Sequence, residues 1–128
     1  MSFEEAELLR ERAEEFLKTA KLLMDNRLYD IAVFSLEQYV QLMLKYRLLL
    51  ATGSYPRTHS LTRLVELLAT VNPSLRVLLD NDEYLLLLTK LEDAYIGARH
   101  LPRKYTEREA RKLYSFTLEV LKPLVERV

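Results

Sequence analysis

A regular apolar stripe between residues 32 and 50 constrains the fold of this chain most strongly. Its members recur at steps of 4, 3, 4, 3 and 4 residues: Ala32, Leu36, Tyr39, Met43, Tyr46 and Leu50. Because this spacing keeps every member on one face of an α-helix, it predicts a long amphipathic helix over about 29–51. Gly53 follows, and a residue without Cβ adopts the left-handed turn that ends a helix at little cost.

Similar patterns predict the remaining helices. Capping-box patterns, in which Ser or Thr precedes Glu by three residues, occur at 2–5 and 106–109 and indicate two helix starts. The predicted helices span about 2–26, 29–51, 61–71, 83–98 and 106–127, with one further helical turn at 74–79. Ser60 is placed to cap the third helix, and Pro123 is expected to kink or fray the last turn of the fifth.

Composition supports an all-α fold. Two glycines and four prolines in 128 residues are too few to separate many strands, and good helix formers dominate the chain. Short loops between long helices favour antiparallel neighbours. The prediction is therefore an up-and-down antiparallel bundle of four to five helices, formed by residues 1–128 as a single domain.

The bulk composition also excludes several classes of function. The 19 basic and 19 acidic residues balance, so no DNA partner is expected, and the absence of cysteine excludes disulfides and thiol chemistry. No apolar run approaches the roughly 18–20 residues of a membrane span, and the acidic start differs from a signal peptide, so a cytoplasmic protein without a membrane partner is predicted. Acidic residues at 80–83 and 92–93 are interpreted as helix caps and dipole complements, so neither a metal site nor a cofactor is predicted.

Two stretches without acidic residues indicate where a phosphate group would bind. Residues 38–65 and 94–106 carry only basic charges, and their loops lie at the same end of the bundle if the major helices simply alternate in direction. The predicted phosphate-binding or nucleotide-binding residues are Arg57, His59, Arg63, Arg99, His100, Arg103 and Lys104. Arginine donates in the planar geometry that suits phosphate, and the start of the third helix is expected to add backbone N–H donors.

Interpretations that involve no bound ligand also stay open. Both loops are also consistent with solvated surface, His59 with packing at a helix start, and Arg99 with capping the carbonyls at the end of the fourth helix. If residues 74–79 form a full helix that crosses the bundle, the two loops separate. Most tyrosines occupy stripe positions and are interpreted as core, with Tyr55 and Tyr105 as the two exceptions.

The order of several short motifs resembles the HEPN domain family, small helical domains named for proposed nucleotide binding. One matching segment runs from Leu28-Tyr29-Asp30 through Gln38, Leu44-Lys45 and Gly53 to Tyr55-Pro56-Arg57-Thr58-His59. The other, Tyr95-Ile96-Gly97-Ala98-Arg99-His100-Leu101-Pro102, is similar to the family's Tyr-x-x-Ala-Arg-Tyr-Pro signature with His-Leu in place of the second Tyr. The resemblance spans nearly the whole chain.

The resemblance implies one of two activities. One branch of the family comprises metal-independent ribonucleases marked by Arg, four to six residues, and His. That spacing is absent here, because positions 93–95 before His100 and 52–54 before His59 hold no arginine. The other branch works beside a minimal nucleotidyltransferase, often as a toxin–antitoxin pair. The chain fits this second branch, so the leading hypothesis is a nucleotide-binding accessory subunit without catalytic residues; a ribonuclease and a ligand-free protein-interaction module are the alternatives.

A homodimer is also expected. It is partly implied by the resemblance and partly indicated by the run Leu85-Leu86-Leu87-Leu88, which is apolar on every side of its helix. A central helix that is buried within the bundle explains the same run equally well.

Overall fold

The structure is a computed structural model that describes residues 3–100 and 104–127, with the side chains of residues 97–100 excepted. The elements in chain order are α1 Phe3–Asp25, α2 Tyr29–Thr52, α3 Leu61–Ala69, a 3₁₀ turn Pro73–Arg76, α4 Val77–Asp80, α5 Asp82–His100, α6 Glu107–Phe116, a π turn Thr117–Leu121 and α7 Lys122–Glu126. The described residues contain no strand. The predicted all-α class is confirmed.

The long helices alternate in direction. Ion pairs join Lys90 to Glu109 and Lys112 to Glu83, so α5 and α6 run antiparallel. The α6–α7 arm runs in the same direction as α2, since the amide of Tyr105, just before α6, bonds Asp30 near the start of α2, and the α7 residue Glu126 bonds Tyr39 further along it. With the α1–α2 hairpin, this gives the predicted up-and-down bundle.

The short helix α3 does not cross the bundle. Its nine residues are about 13 Å long, against about 36 Å for the 24 residues of α2. The segment 53–60 starts at the C-terminal end of α2 and folds back along it, because His59 reaches Gln41. The 3₁₀ turn and α4 then return the chain to the start of α5. Simple alternation of the helices therefore does not describe where the two basic loops lie.

The predicted helix ends are largely confirmed. Gly53 has a φ of 86° and its N–H donates to the carbonyl of Leu49, as a left-handed C-cap does. Ser60 caps α3, and Thr106 with Glu109 forms a complete capping box. The predicted cap at Ser2 lies outside the described residues.

The last helix departs from α-helical geometry just before Pro123, the residue at which the sequence predicts a kinked or frayed turn. The π turn Thr117–Leu121 precedes it, and the N–H of Lys122 donates to the carbonyl of Thr117. Pro123 then lies in the first turn of α7. A residue there needs no intrahelical N–H bond, which is the group that proline lacks. The helix therefore accommodates Pro123 directly after the π turn.

The buried apolar side chains form one continuous cluster to which each of the described helices α1 to α7 contributes. The leucine run of α5 is divided between this core and the surface, since Leu87 and Leu88 are buried while Leu86 is 68% exposed. Among the described helices, none combines the length and the apolar character that a membrane span requires.

Candidate functional site

Three polar residues one turn apart interrupt the apolar surface of α2. Glu37, Gln41 and Lys45 follow each other at steps of four residues, so they share one face of the helix. Gln41 Nε2 donates to Glu37 Oε2 at 2.7 Å, and Lys45 Nζ donates to Gln41 Oε1 at 2.9 Å. Glu37 is fully buried and Gln41 is 4% exposed. The row therefore runs from the interior of the bundle towards its surface.

His59 connects this row to α5. Its Nδ1 lies 3.4 Å from Gln41 Oε1, and its Nε2 lies 3.0 Å from the hydroxyl of Tyr95. The rings of His59 and Tyr95 also stack, with centroids 4.0 Å apart and an interplanar angle of 16°. His59 is exposed overall, yet both ring nitrogens have partners. We call Glu37, Gln41, Lys45, His59 and Tyr95 the polar row.

The start of α3 is occupied by a carboxylate of the protein itself. Glu92 Oε1 accepts hydrogen bonds from Ser60 Oγ and from the backbone N–H of Thr62, each at 3.0 Å. Ser60 Oγ in turn accepts from the N–H of Arg63. The expectation that this helix start would offer its N–H donors to a phosphate is therefore wrong for these two amides, because Glu92 and Ser60 already satisfy them.

Burial dominates the electrostatics of the polar row. It raises the pKa of Glu37 to about 7, although hydrogen bonds from Gln41 and Gln38 and the charge of Lys45 favour the ionised carboxylate. The nearby charge of Glu92 adds to the rise. Burial also lowers the pKa of Lys45, and Glu37 opposes that effect. The row thus contains an acid that titrates near neutral pH.

At the exposed end of the row, Lys45 has an aromatic neighbour, and two arginines lie within four residues of His59 in the chain. The Lys45 ammonium lies 5.6 Å from the ring centroid of Tyr55, within cation–π distance. Arg57 and Arg63 are both exposed, and Arg63 lies 3.9 Å from Glu66 of its own helix. We call Lys45, Tyr55, Arg57, His59 and Arg63 the basic rim.

The remaining four predicted binding residues lie away from the basic rim or outside the described residues. Lys104 is exposed and lines a shallow groove with Arg27 beside the start of α2. The neighbouring Tyr105 bonds Asp30, eleven residues or about 16 Å along the helix from Gln41. Arg103 and the side chains of Arg99 and His100 lie outside the described residues. The structure therefore places three of the seven predicted residues on one segment and Lys104 apart from them.

Two further sequence interpretations are settled by burial. Tyr105 is 5% exposed and belongs to the core, so its side chain is not available to stack on a base. Tyr55 is half-buried and takes part in the rim. Within the described part of the chain, no three His, Asp or Glu side chains converge in a way that would hold a metal ion.

Glu37 and Gln41 are not among the site residues predicted from the sequence. A signal was present, because Glu37, Gln41 and Lys45 recur at steps of four residues and therefore share one face of a largely apolar helix. The pairing of His59 with Tyr95, 36 positions later, has no comparable local signal.

Comparison with known proteins agrees with this architecture. The HEPN domain family model matches residues 6–128. No curated protein and no solved structure matches the chain. The family match covers nearly the whole chain and accompanies an all-helical fold, so this chain belongs to the HEPN domain family.

Proposed function

We propose that this protein is a nucleotide-binding accessory subunit that works beside a minimal nucleotidyltransferase, as one half of a toxin–antitoxin-like pair. One observation carries the proposal. His59 is held by Gln41 and Tyr95 at the exposed end of the polar row, next to Lys45. The site therefore combines an ordered aromatic ring with cations that have different degrees of burial.

The chemistry of the basic rim suits a nucleotide. Arg57 and Arg63 supply guanidinium groups, which donate to phosphate oxygens in pairs, and Lys45 supplies a less exposed ammonium. The rings of His59 and Tyr55 offer flat surfaces of the kind on which bases stack. Since Glu92 and Ser60 already satisfy amides at the start of α3, side chains are the expected phosphate ligands.

The partner assignment rests on the family and on a missing motif. Neither histidine follows an arginine at the spacing of the HEPN ribonucleases, which favours the branch that works with a nucleotidyltransferase. Leu86 and Ile96 on α5 are exposed, 68% and 54% respectively, and offer apolar surface to a second copy or to that partner. Homodimerisation is part of the proposal.

The first test is calorimetric titration of the purified protein with ATP and with GTP. Binding is expected, and it should weaken at least tenfold in Arg57→Ala and His59→Ala. Arg12→Ala is the matched control, because Arg12 is an exposed arginine on α1 that does not belong to the basic rim. An absence of heat with both nucleotides, or equal loss in the control, would overturn the proposal.

Two further assays separate the alternatives. Cleavage of RNA without added metal, abolished by His100→Ala, would replace the proposal with a ribonuclease. Co-expression with a nucleotidyltransferase encoded beside this chain should yield a complex. A complex without nucleotide binding would instead indicate a protein-interaction module.

A further inference from the structure

Glu37 has an unusual position for a carboxyl group. It is fully buried in the middle of α2, and its hydrogen-bond partners are two side-chain amides. Gln38 Nε2 donates to one carboxylate oxygen and Gln41 Nε2 to the other, each at 2.7 Å. An ionised carboxylate only accepts hydrogen bonds, so it requires each amide to present its nitrogen.

This requirement determines which way Gln41 points. With its nitrogen on Glu37, its Oε1 faces the other way, towards Lys45 Nζ at 2.9 Å and His59 Nδ1 at 3.4 Å. The Lys45 ammonium only donates, so it demands the same orientation. Glu37 and Lys45 therefore hold Gln41 from opposite ends.

The orientation of Gln41 has a consequence for His59. A carbonyl oxygen opposite Nδ1 is satisfied when Nδ1 carries the proton. In neutral His59 the acceptor nitrogen is then Nε2, which lies 3.0 Å from the hydroxyl of Tyr95 and can accept from it. The two ring nitrogens thus have different, complementary partners.

We propose that Glu37 is a positioning residue: through Gln41 it imposes the Nδ1–H tautomer on His59, so that the ring meets its ligand with Nε2 as the acceptor shared with Tyr95. The inference rests on the proposed function for the identity of that ligand, but not for the tautomer. Glu37 does not touch the ligand and acts only through Gln41.

The test is nitrogen NMR of the ¹⁵N-labelled full chain, without nucleotide, at a pH well above 7, where Glu37 is ionised and the imidazole is neutral. A His59→Gln variant assigns the signals, because the chain has two histidines. In the unaltered protein, Nδ1 should resonate as a protonated nitrogen and Nε2 as an unprotonated one. In a Lys45→Met background, where Glu37 alone orients Gln41, adding Glu37→Gln should yield a mixture of both tautomers, because a carboxamide accepts either orientation of Gln41. Gln41→Met should lose the Nδ1–H preference altogether.

Gln38→Met is the matched control. It removes the other amide from Glu37 but leaves Gln41 and His59 in contact, so the tautomer should not change. An Nε2–H tautomer in the unaltered protein, or an unchanged tautomer when Glu37→Gln is added to Lys45→Met, would overturn the proposal. Failure of nucleotide binding is a separate outcome, since the NMR measurement contains no nucleotide.

Discussion

Glu92 of α5 and Ser60 at the start of α3 are joined by a 3.0 Å hydrogen bond, and the same carboxylate oxygen accepts from the amide of Thr62. A carboxylate at a helix N-terminus complements the positive end of the helix dipole. The contact ties α3 to α5 and thereby holds the preceding residue, His59, against Tyr95. The geometry of the polar row thus depends on the hydrogen bonds that Ser60 and Glu92 make at the start of α3.

Replacement of Ser60 by Ala should lower the free energy of unfolding by about 1–2 kcal/mol, because both the cap on Arg63 and the bond to Glu92 are lost. Ser60→Thr keeps the hydroxyl and should lower the free energy of unfolding by less than Ser60→Ala does. Urea denaturation at neutral pH measures the difference. Equal stability of the Ala variant and the unaltered protein would contradict the structural role of this cap.

Glu37 should make the stability of the protein depend on pH. Its pKa is raised to about 7 in the folded state from 4.5, so the folded protein binds the proton more tightly than the unfolded chain. The groups that face it are Gln38, Gln41 and Lys45 on α2 and Glu92 on α5. Stability from this group is present below pH 4.5 and is lost as the pH rises through 7.

The matched variant for this effect is Glu37→Gln, which cannot ionise. Relative to the unaltered protein, its free energy of unfolding should increase between pH 5 and pH 8 by up to about 3 kcal/mol, taking 1.36 kcal/mol for each pKa unit. Urea denaturation series at several pH values test this. A difference that stays constant over this range would show that Glu37 titrates as an ordinary carboxyl group.

The protein should be more stable with glycine at position 27 than with alanine there. It has a φ of 60°, and a Schellman pair of bonds surrounds it, from its own N–H to Met24 and from Leu28 N–H to Leu23. A side chain in this left-handed conformation costs roughly 1 kcal/mol. Arg27→Gly should therefore exceed Arg27→Ala in stability by about 1 kcal/mol, as measured by thermal or urea unfolding.

The comparison of the two variants controls for the arginine side chain, because both remove its charge beside Glu107. Only the Cβ atom and the backbone freedom differ between them. If alanine proved equal or better, the unfolded-state entropy of glycine would outweigh the relief of the left-handed conformation.

Glu109 should stabilise the folded protein at neutral pH, and this stabilisation should be lost at low pH. Its hydrogen bond to Lys90, together with the amide of Thr106, lowers its pKa to about 2 from 4.5. The contribution is present above pH 4.5 and is lost as the pH falls towards 2. Glu109→Gln should lower the free energy of unfolding by about 1 kcal/mol at pH 6, since the pair is partly exposed.

The acid dependence separates this effect from loss of the capping box, because glutamine can still reach the amide of Thr106. The difference between Glu109→Gln and the unaltered protein should shrink as the pH is lowered from 6 to 3. Persistence of the full difference at pH 3 would show that packing of the side chain, rather than its charge, is responsible.

Features that depend on neighbours within one helical turn could be predicted from the sequence. The left-handed end at Gly53, the cap at Ser60 and the capping box at Thr106 each involve partners at most four residues away. The stripe of α2 likewise repeats within the reach of a single helix. These local signals also sufficed for the all-α class and for the alternation of the long helices.

The composition of the candidate site was decided by tertiary packing. Glu37 titrates near pH 7 because neighbouring helices bury it, His59 is ordered by a tyrosine 36 positions later, and the start of α3 is filled by Glu92 from α5. Helix periodicity and caps arise from short-range bonds that the sequence displays directly. The depth at which a polar side chain is buried and its pairing with a distant residue arise from the way the helices pack, which no pattern within one helix specifies.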